Sequence, residues 1–255
     1  MKQDIWSNGY LNLSNGIVVY GNGQSSTSYV QLSNNSTIQG NAKAGTTITG
    51  GTIKGSKTPN SPSGPPPQTA LPHITFNQQA WVDAGYTVVN YSNCALAKNF
   101  IDTIGSGDYV VRISPACLIS WGNNSVVNLH GNLAIVTDGS ISTTNQTTWN
   151  SVGGTWTLFM IDVWRNGLNC TKPSPYDISV SNNTNFNDNM KLFVYSPCNV
   201  DFGNNNAGGV NGQIIGGTVT ITNQMTMNYV PILVPGFNLL GYSVSPSYLR
   251  EVSNG

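Results

Sequence analysis

The beginning of the chain is punctuated by Asn-Gly steps at intervals too short for ordinary hairpins. Ser7-Asn8-Gly9, Ser14-Asn15-Gly16 and Gly21-Asn22-Gly23 bracket the β-type runs 10–13 and 17–20, and the pattern loosens but persists through Ser33-Asn34-Asn35, Gly40-Asn41 and Gly50-Gly51. Val30, Leu32, Ile38, Ile48 and Ile53 are the apolar positions between those breaks. Strands this short and this close fit a parallel β-helix, a solenoid whose coils are several short strands joined by tight corners. Asn and Gly suit the corners because both tolerate left-handed backbone angles. A meandering sandwich is the competing fold.

A longer repeat supports the solenoid. Residues 109–124 read YVVRISPACLISWGNN and residues 191–205 read KLFVYSPCNVDFGNN, each a strand, Ser-Pro, Cys, a strand and Gly-Asn-Asn. Residues 155–164 are the most continuously apolar stretch, which predicts a strand covered on both faces. The proline-rich run KTPNSPSGPPPQTALP (57–72) cannot enter a ladder, since proline lacks the donor; it is an extended linker or a strap across the solenoid. After it, CALAKNFIDTI (94–104) spaces Ala95, Leu96, Phe100, Ile101 and Ile104 as one short helix does. The chain then divides into first coils (1–57), a proline-rich segment (58–72), an irregular segment with the helix (73–108) and main coils with a C-terminal seal (109–255), all within one structural domain.

Composition agrees. Only 8% of the 255 residues are charged, ten basic against ten acidic, where about 25% is usual; the one glutamate is Glu251. Asn, Ser, Thr and Gly make up 112 residues, so the surface is polar and neutral. These residues rank low in helix propensity. With no Lys/Arg cluster, the electrostatic footprint of a nucleic-acid binder is missing. No apolar run reaches the ~18 residues of a membrane span, and no signal-peptide core stands at the start.

Cys94, Cys117, Cys170 and Cys198 include no Cys-x-x-Cys pair, and His73 and His130 lie in unlike settings, so neither a zinc site nor any other cofactor is expected. Carboxylates are too scattered for a calcium site. Four cysteines permit three pairings. The matching Ser-Pro contexts of Cys117 and Cys198, each preceded by a cysteine some 25 residues earlier in a looser segment, favour Cys94 with Cys117 and Cys170 with Cys198. Such bridges imply an oxidising, exported setting.

The runs WSNGYLNLSNGIVVYGN, YVVRISPACLISWGNN, KLFVYSPC and VNGQIIGGTVTITNQMTMNYVP, followed by YLREV, resemble the β-solenoid domain of surface proteins associated with type IV pilus loci in Gram-positive bacteria. More narrowly, they resemble the C-terminal domain of the tāpirins, cellulose-adhesion proteins of extremely thermophilic, plant-biomass-degrading bacteria. The resemblance spans nearly the whole chain. It implies a non-catalytic adhesin on the extracellular face of the cell, binding crystalline cellulose or a related plant cell-wall glucan. It also implies that a membrane-anchoring portion precedes this sequence and that Met1-Lys2 is an artificial start. Other surface or pilus proteins are further conceivable partners.

Binding an uncharged, flat glucan calls for ring faces that stack on pyranose C–H surfaces, flanked by amides and hydroxyls. Trp149, in the polar stretch 142–150, has no apolar sequence neighbours and ranks first. Trp164 and Tyr176, flanking the irregular stretch 165–175, rank second, and Trp81, Tyr86 and Tyr91 third. Trp121, Trp156, Phe159 and Phe193 sit in strand runs and are assigned to the interior, and Tyr242 and Tyr248 to the C-terminal seal. The main rival is a pectinase- or lyase-type β-helix enzyme, which needs grouped carboxylates. Asp138 with Asp162, and Asp177 with Asp201, each 24 residues apart, are the pairs that could stack on adjacent coils. A purely structural pilus or surface-layer component is the third reading.

Overall fold

The computed structural model describes residues 4–7, 9–14, 16–64, 71–171, 174–203, 210–221 and 227–237. They form a parallel β-solenoid of about 9 turns, laid out in two blocks with separate apolar interiors.

In the first block, β1 (Ile5–Ser7), β2 (Leu11–Leu13) and β3 (Val18–Val19) make one coil. β4 (Gly23–Ser25), β5 (Val30–Leu32) and β6 (Thr37–Ile38) make the next; β7 (Ala42–Ala44), β8 (Ile48–Thr49) and β9 (Thr52–Ile53) follow, and β10 (Lys57–Thr58) closes the series. The strands stack as three parallel sheets, β1-β4-β7-β10, β2-β5-β8 and β3-β6-β9. Register sets like on like: Leu11 on Val30 on Ile48, and Val19 on Ile38 on Ile53. The interior is small, with alanines at Ala42 and Ala44.

Hydrogen bonds at the corners compensate for that small core. Asn22 donates its backbone N–H to Asp4 Oδ1 at 2.6 Å and its side-chain amide to Asp4 Oδ2 at 3.2 Å; Asn41 N donates to Asn22 Oδ1 at 2.8 Å, and Ser56 N to Asn41 Oδ1 at 2.9 Å. Each side-chain carbonyl satisfies a backbone donor one coil further on, in line with the demand that backbone groups be paired. The corners stack so closely that a Cβ on Gly40 would lie 2.6 Å from Gly21 O, and one on Gly55 2.6 Å from Gly40 O. The proline-rich run begins by folding back on this block, with Ser61 N donating to Ala44 O and Ser63 N to Ser26 O.

The second block opens with α1 (Gln78–Asp83), β11 (Thr87–Tyr91) and α2 (Cys94–Asp102). Asn77 and Asn93 cap the two helices, each accepting from backbone N–H groups of the first turn. The sequence periodicity anticipates α2, whose Ala97 and Ile101 are buried against the interior; α1, six residues long with only Trp81 buried, carries no such signal. Three full coils follow: β12 (Tyr109–Ile113), β13 (Ile119–Trp121) and β14 (Val126–Leu129); β15 (Leu133–Thr137), β16 (Ile141–Thr143) and β17 (Thr148–Ser151); β18 (Thr157–Asp162), β19 (Ile178–Val180) and β20 (Asn185–Phe186). Then β21 (Lys191–Phe202) and β22 (Val210–Ile221) each run through a corner as one strand, and β23 (Met227–Tyr229) pairs with β22. The parallel sheet already starts at β11, paired with β12. Asn124, Gln146 and Asn183, with φ of 59°, 62° and 56°, mark the equivalent turn in three successive coils, the left-handed corners that the Asn-rich composition predicts. The corner ladder recurs here too: Asn132 N donates to Asp108 Oδ1, and Thr157 N to Asn132 Oδ1.

This block has two apolar layers. The inner one fills the solenoid. The outer one lies on the far side of the sheet β12-β15-β18-β21, where Val110, Ala134, Val136, Phe159, Ile161, Phe193 and Tyr195 are covered by Ile74, Trp81, Ile232 and Val234 from before and after the coils. Tyr195 pins that cover, its hydroxyl donating to Pro72 O at 2.5 Å and accepting from Ile74 N at 3.3 Å. Cover on both sides accounts for the unbroken apolar run 158–161, as the sequence predicts. Two disulfides, Cys94–Cys117 and Cys170–Cys198, join the favoured pairs. They close loops of 23 and 28 residues, for which chain entropy gives a stabilisation of about 3 kcal/mol each. Bridged cysteines are those of a protein that matures in an oxidising compartment, as secreted proteins do.

Candidate functional site

One coil of the second block breaks the rhythm of the others. Along the stacked column Tyr109, Leu133, Leu158, Leu192 and Gly212, the chain advances by 24, 25, 34 and 20 residues. The long step is the excursion 163–177 between β18 and β19. Irregular segments projected from a rigid scaffold are where binding residues concentrate, and this one carries Trp164, Arg165 and Tyr176.

The excursion leaves the sheet at Asp162 and is tied down at once, Trp164 N donating to Ile74 O at 2.7 Å. The indole of Trp164 stacks on the exposed imidazole of His73, with centroids 3.9 Å apart and planes 11° from parallel. Arg165 lies over the ring of Tyr176 at 4.9 Å. Its guanidinium donates to Asp138 Oδ1 and to Asp162 Oδ1, both at 3.0 Å, and Arg112 donates to the same Asp138 oxygen at 2.5 Å while lying over Phe76. The far end of the excursion is fixed by Cys170–Cys198 and by Asn199, which donates to Asp177 Oδ1 at 2.6 Å. The aromatic rings are therefore held by a braced framework.

The two aspartates differ sharply. Burial works against the Asp138 carboxylate, but hydrogen bonds from Ser114 and Arg112 and the charges of Arg112 and Arg165 outweigh it and hold its pKa below the usual range. Asp162 is 0% exposed, and burial pushes its pKa up to about 8, with Arg165 offsetting only part of the cost. Its Oδ2 has no hydrogen-bond partner. Asp138 and Asp162 thus meet as adjacent-coil neighbours through Arg165. The other carboxylate pair does not: Asp201 stacks on Ser179, and Asp177 faces Asn199. Among the described residues, no group of three or more His, Cys, Asp or Glu is arranged to hold a metal ion.

The structure redistributes the predicted aromatics. Trp149 is 0% exposed, which removes it as a surface platform. Its strand alternates, so Thr148 and Asn150 face out while Trp149 points into the solenoid between Val127 and Phe186 of the neighbouring coils, against Trp121 at 4.8 Å. Trp81 is likewise buried, packed edge-on to Tyr86 and Phe159 in the outer layer. Tyr86 is half-buried there, and burial with the nearby Asp108 charge raises its pKa to about 12. Tyr91 leans on Phe100 and packs against the inner layer. Trp121, Phe159 and Phe193 are interior as expected, whereas Trp156 is half-buried with its indole donating to Val152 O at 2.9 Å. Tyr242 and Tyr248 lie outside the described residues. Only Trp164 and Tyr176 remain as partly accessible rings on a projecting segment.

The most exposed aromatics among the described residues are in the first block. Tyr20 is 65% exposed, Tyr10 61% and Trp6 41%, and Tyr10 runs nearly parallel to Tyr29, 14° apart with centroids at 5.5 Å. Their signal is alternation: Tyr10 and Asn12 flank the inward Leu11, as Tyr29 and Gln31 flank Val30.

Fold and site together define a disulfide-braced, two-block parallel β-solenoid with neutral faces and a projecting aromatic corner. No protein-family model matches the chain, and no curated protein or solved structure does.

Proposed function

We propose that this chain is a non-catalytic carbohydrate-binding domain that holds a bacterial cell surface to insoluble plant polysaccharide, most specifically crystalline cellulose. The observation that carries the reading is the corner at Trp164, where the Trp164 and His73 rings and the Tyr176 ring are braced by the Arg165–Asp138 ion pair, an Arg165–Asp162 hydrogen bond and a disulfide instead of being packed into the core. Rings held in advance lose little freedom on binding, which favours stacking on a flat, rigid ligand. The scarcity of charge and the resemblance to the tāpirin C-terminal domain support the same ligand.

Mixing the protein with microcrystalline cellulose should deplete it from the supernatant at low and at high salt alike, because a neutral stacking interface responds little to screening. No depletion at either salt would refute the reading. A raised carboxyl beside a lowered one is also the arrangement of acid–base glycoside hydrolysis. Asp162, however, is shut away from solvent and from any polysaccharide. Incubation with pectin or cellulose should therefore release no reducing sugar.

A further inference from the structure

The outer face of β2-β5-β8 is built unlike the rest of the first block. Two rows of side chains cross it, one residue from each coil: Tyr10, Tyr29 and Thr47 in the first, Asn12, Gln31 and Thr49 in the second. All but the half-buried Tyr29 are exposed, and no charged residue stands in either row. The inward residues Leu11, Leu13, Val30 and Leu32 anchor the strands from behind. At a strand spacing of ~4.8 Å, three coils give a platform about 10 Å long, sufficient for a disaccharide-sized stretch of an extended chain. Tyrosine rings on one side and amides and hydroxyls on the other match the two surfaces of a pyranose, its C–H faces and its equatorial hydroxyl edge.

We infer that this face is a second binding platform for uncharged, β-linked polysaccharide, separate from the Trp164 corner, so that the chain grips one insoluble surface at two points. The inference rests on the glucan-binding reading above. The seven chain steps from Gly64 to Leu71 span at most about 25 Å, so the second contact forms at high effective concentration. Two weak sites linked in this way bind some 10²–10⁴ times more tightly than either alone.

The test uses the full chain and binding isotherms on microcrystalline cellulose. Tyr10→Ala/Tyr29→Ala should weaken binding by at least about tenfold, Trp164→Ala/Tyr176→Ala should do likewise, and all four changes together should abolish it. Tyr10→Phe/Tyr29→Phe should keep most of the affinity, since stacking is retained, and unchanged far-ultraviolet circular dichroism should accompany the alanine pair. A Tyr10→Ala/Tyr29→Ala isotherm that superposes on wild type overturns the second platform. If the Trp164→Ala/Tyr176→Ala pair alone matches wild type, the corner is not a site and the two-point grip falls, while the tyrosine face stands as the binding surface. A wild-type chain that does not bind cellulose overturns both readings.

Discussion

Replacing Asp162 by asparagine should flatten the decline of stability with rising pH. The carboxyl titrates near 3.9 in an unfolded chain and at about 8 in the fold. Between those values the folded state holds one more proton than the unfolded state, so wild-type stability falls by about 1.4 kcal/mol per pH unit. From pH 5 to pH 8 the loss comes to about 3.5 kcal/mol, allowing for the curve levelling off near the folded pKa. Asparagine keeps an acceptor for Arg165 but places an amide where Asp162 Oδ2 has no partner, a cost of roughly 1–3 kcal/mol that does not vary with pH. The variant should therefore lie within about 2 kcal/mol of wild type at pH 5 and be clearly the more stable protein by pH 8. Urea unfolding at unit pH steps, followed by tryptophan fluorescence, measures both curves; in thermal melts the relative shift should be roughly 10 °C. Two curves that stay parallel across this range would mean that Asp162 is ionised in the folded protein and that the account of its burial is wrong.

Two further substitutions probe the architecture. Trp121 donates its indole N–H to Asp102 at 2.9 Å, whereas the buried indole N–H of Trp149 has no partner; Trp121→Phe should therefore cost more in urea unfolding than Trp149→Phe, by about 1.5–3 kcal/mol for a hydrogen bond to a charged group, and neither should move the cellulose isotherm. Tyr195→Phe leaves Pro72 O and Ile74 N without their hydroxyl partner, so it should destabilise by about 1–3 kcal/mol and raise amide hydrogen exchange around Ile74.

The solenoid was legible because its signals are local. Asn-Gly corners, short apolar runs and matched Ser-Pro-Cys contexts each declare themselves within a few residues, and α2 shows its helical spacing directly. The aromatic assignment failed at Trp149 for the opposite reason. In a stacked coil a side chain's neighbours are the residues one coil away, Val127 and Phe186, and not the polar residues beside it in sequence. Asp177 and Asp201 illustrate the same difficulty: equal spacing suggested stacking, but from β19 to β21 the chain advances only 22 residues, Ile178 pairing with Val200, so the register places Asn199 opposite Asp177. Trp81 and α1 were hidden because the layer that buries them is assembled from both ends of the second block. Tyr10 and Tyr29 could have been found by reading alternation within the first repeat.

The asparagine ladder also governs how such a chain ages chemically. An Asn-Gly step normally deamidates when the glycine nitrogen attacks the preceding side-chain carbonyl and closes a succinimide ring. Asn22-Gly23 is such a step, yet Gly23 N is engaged with Asn41 O at 2.9 Å and Asn22 Oδ1 is held by Asn41 N at 2.8 Å. The nitrogen that would attack and the side-chain amide it would attack are both tied to the next coil, and the backbone between them cannot turn. Asn166-Gly167, exposed in the excursion, lies outside that ladder and should convert before Asn22-Gly23 does. Each conversion adds a negative charge, so ageing would charge the edge of the aromatic corner before it reached the clamped corner at Asn22.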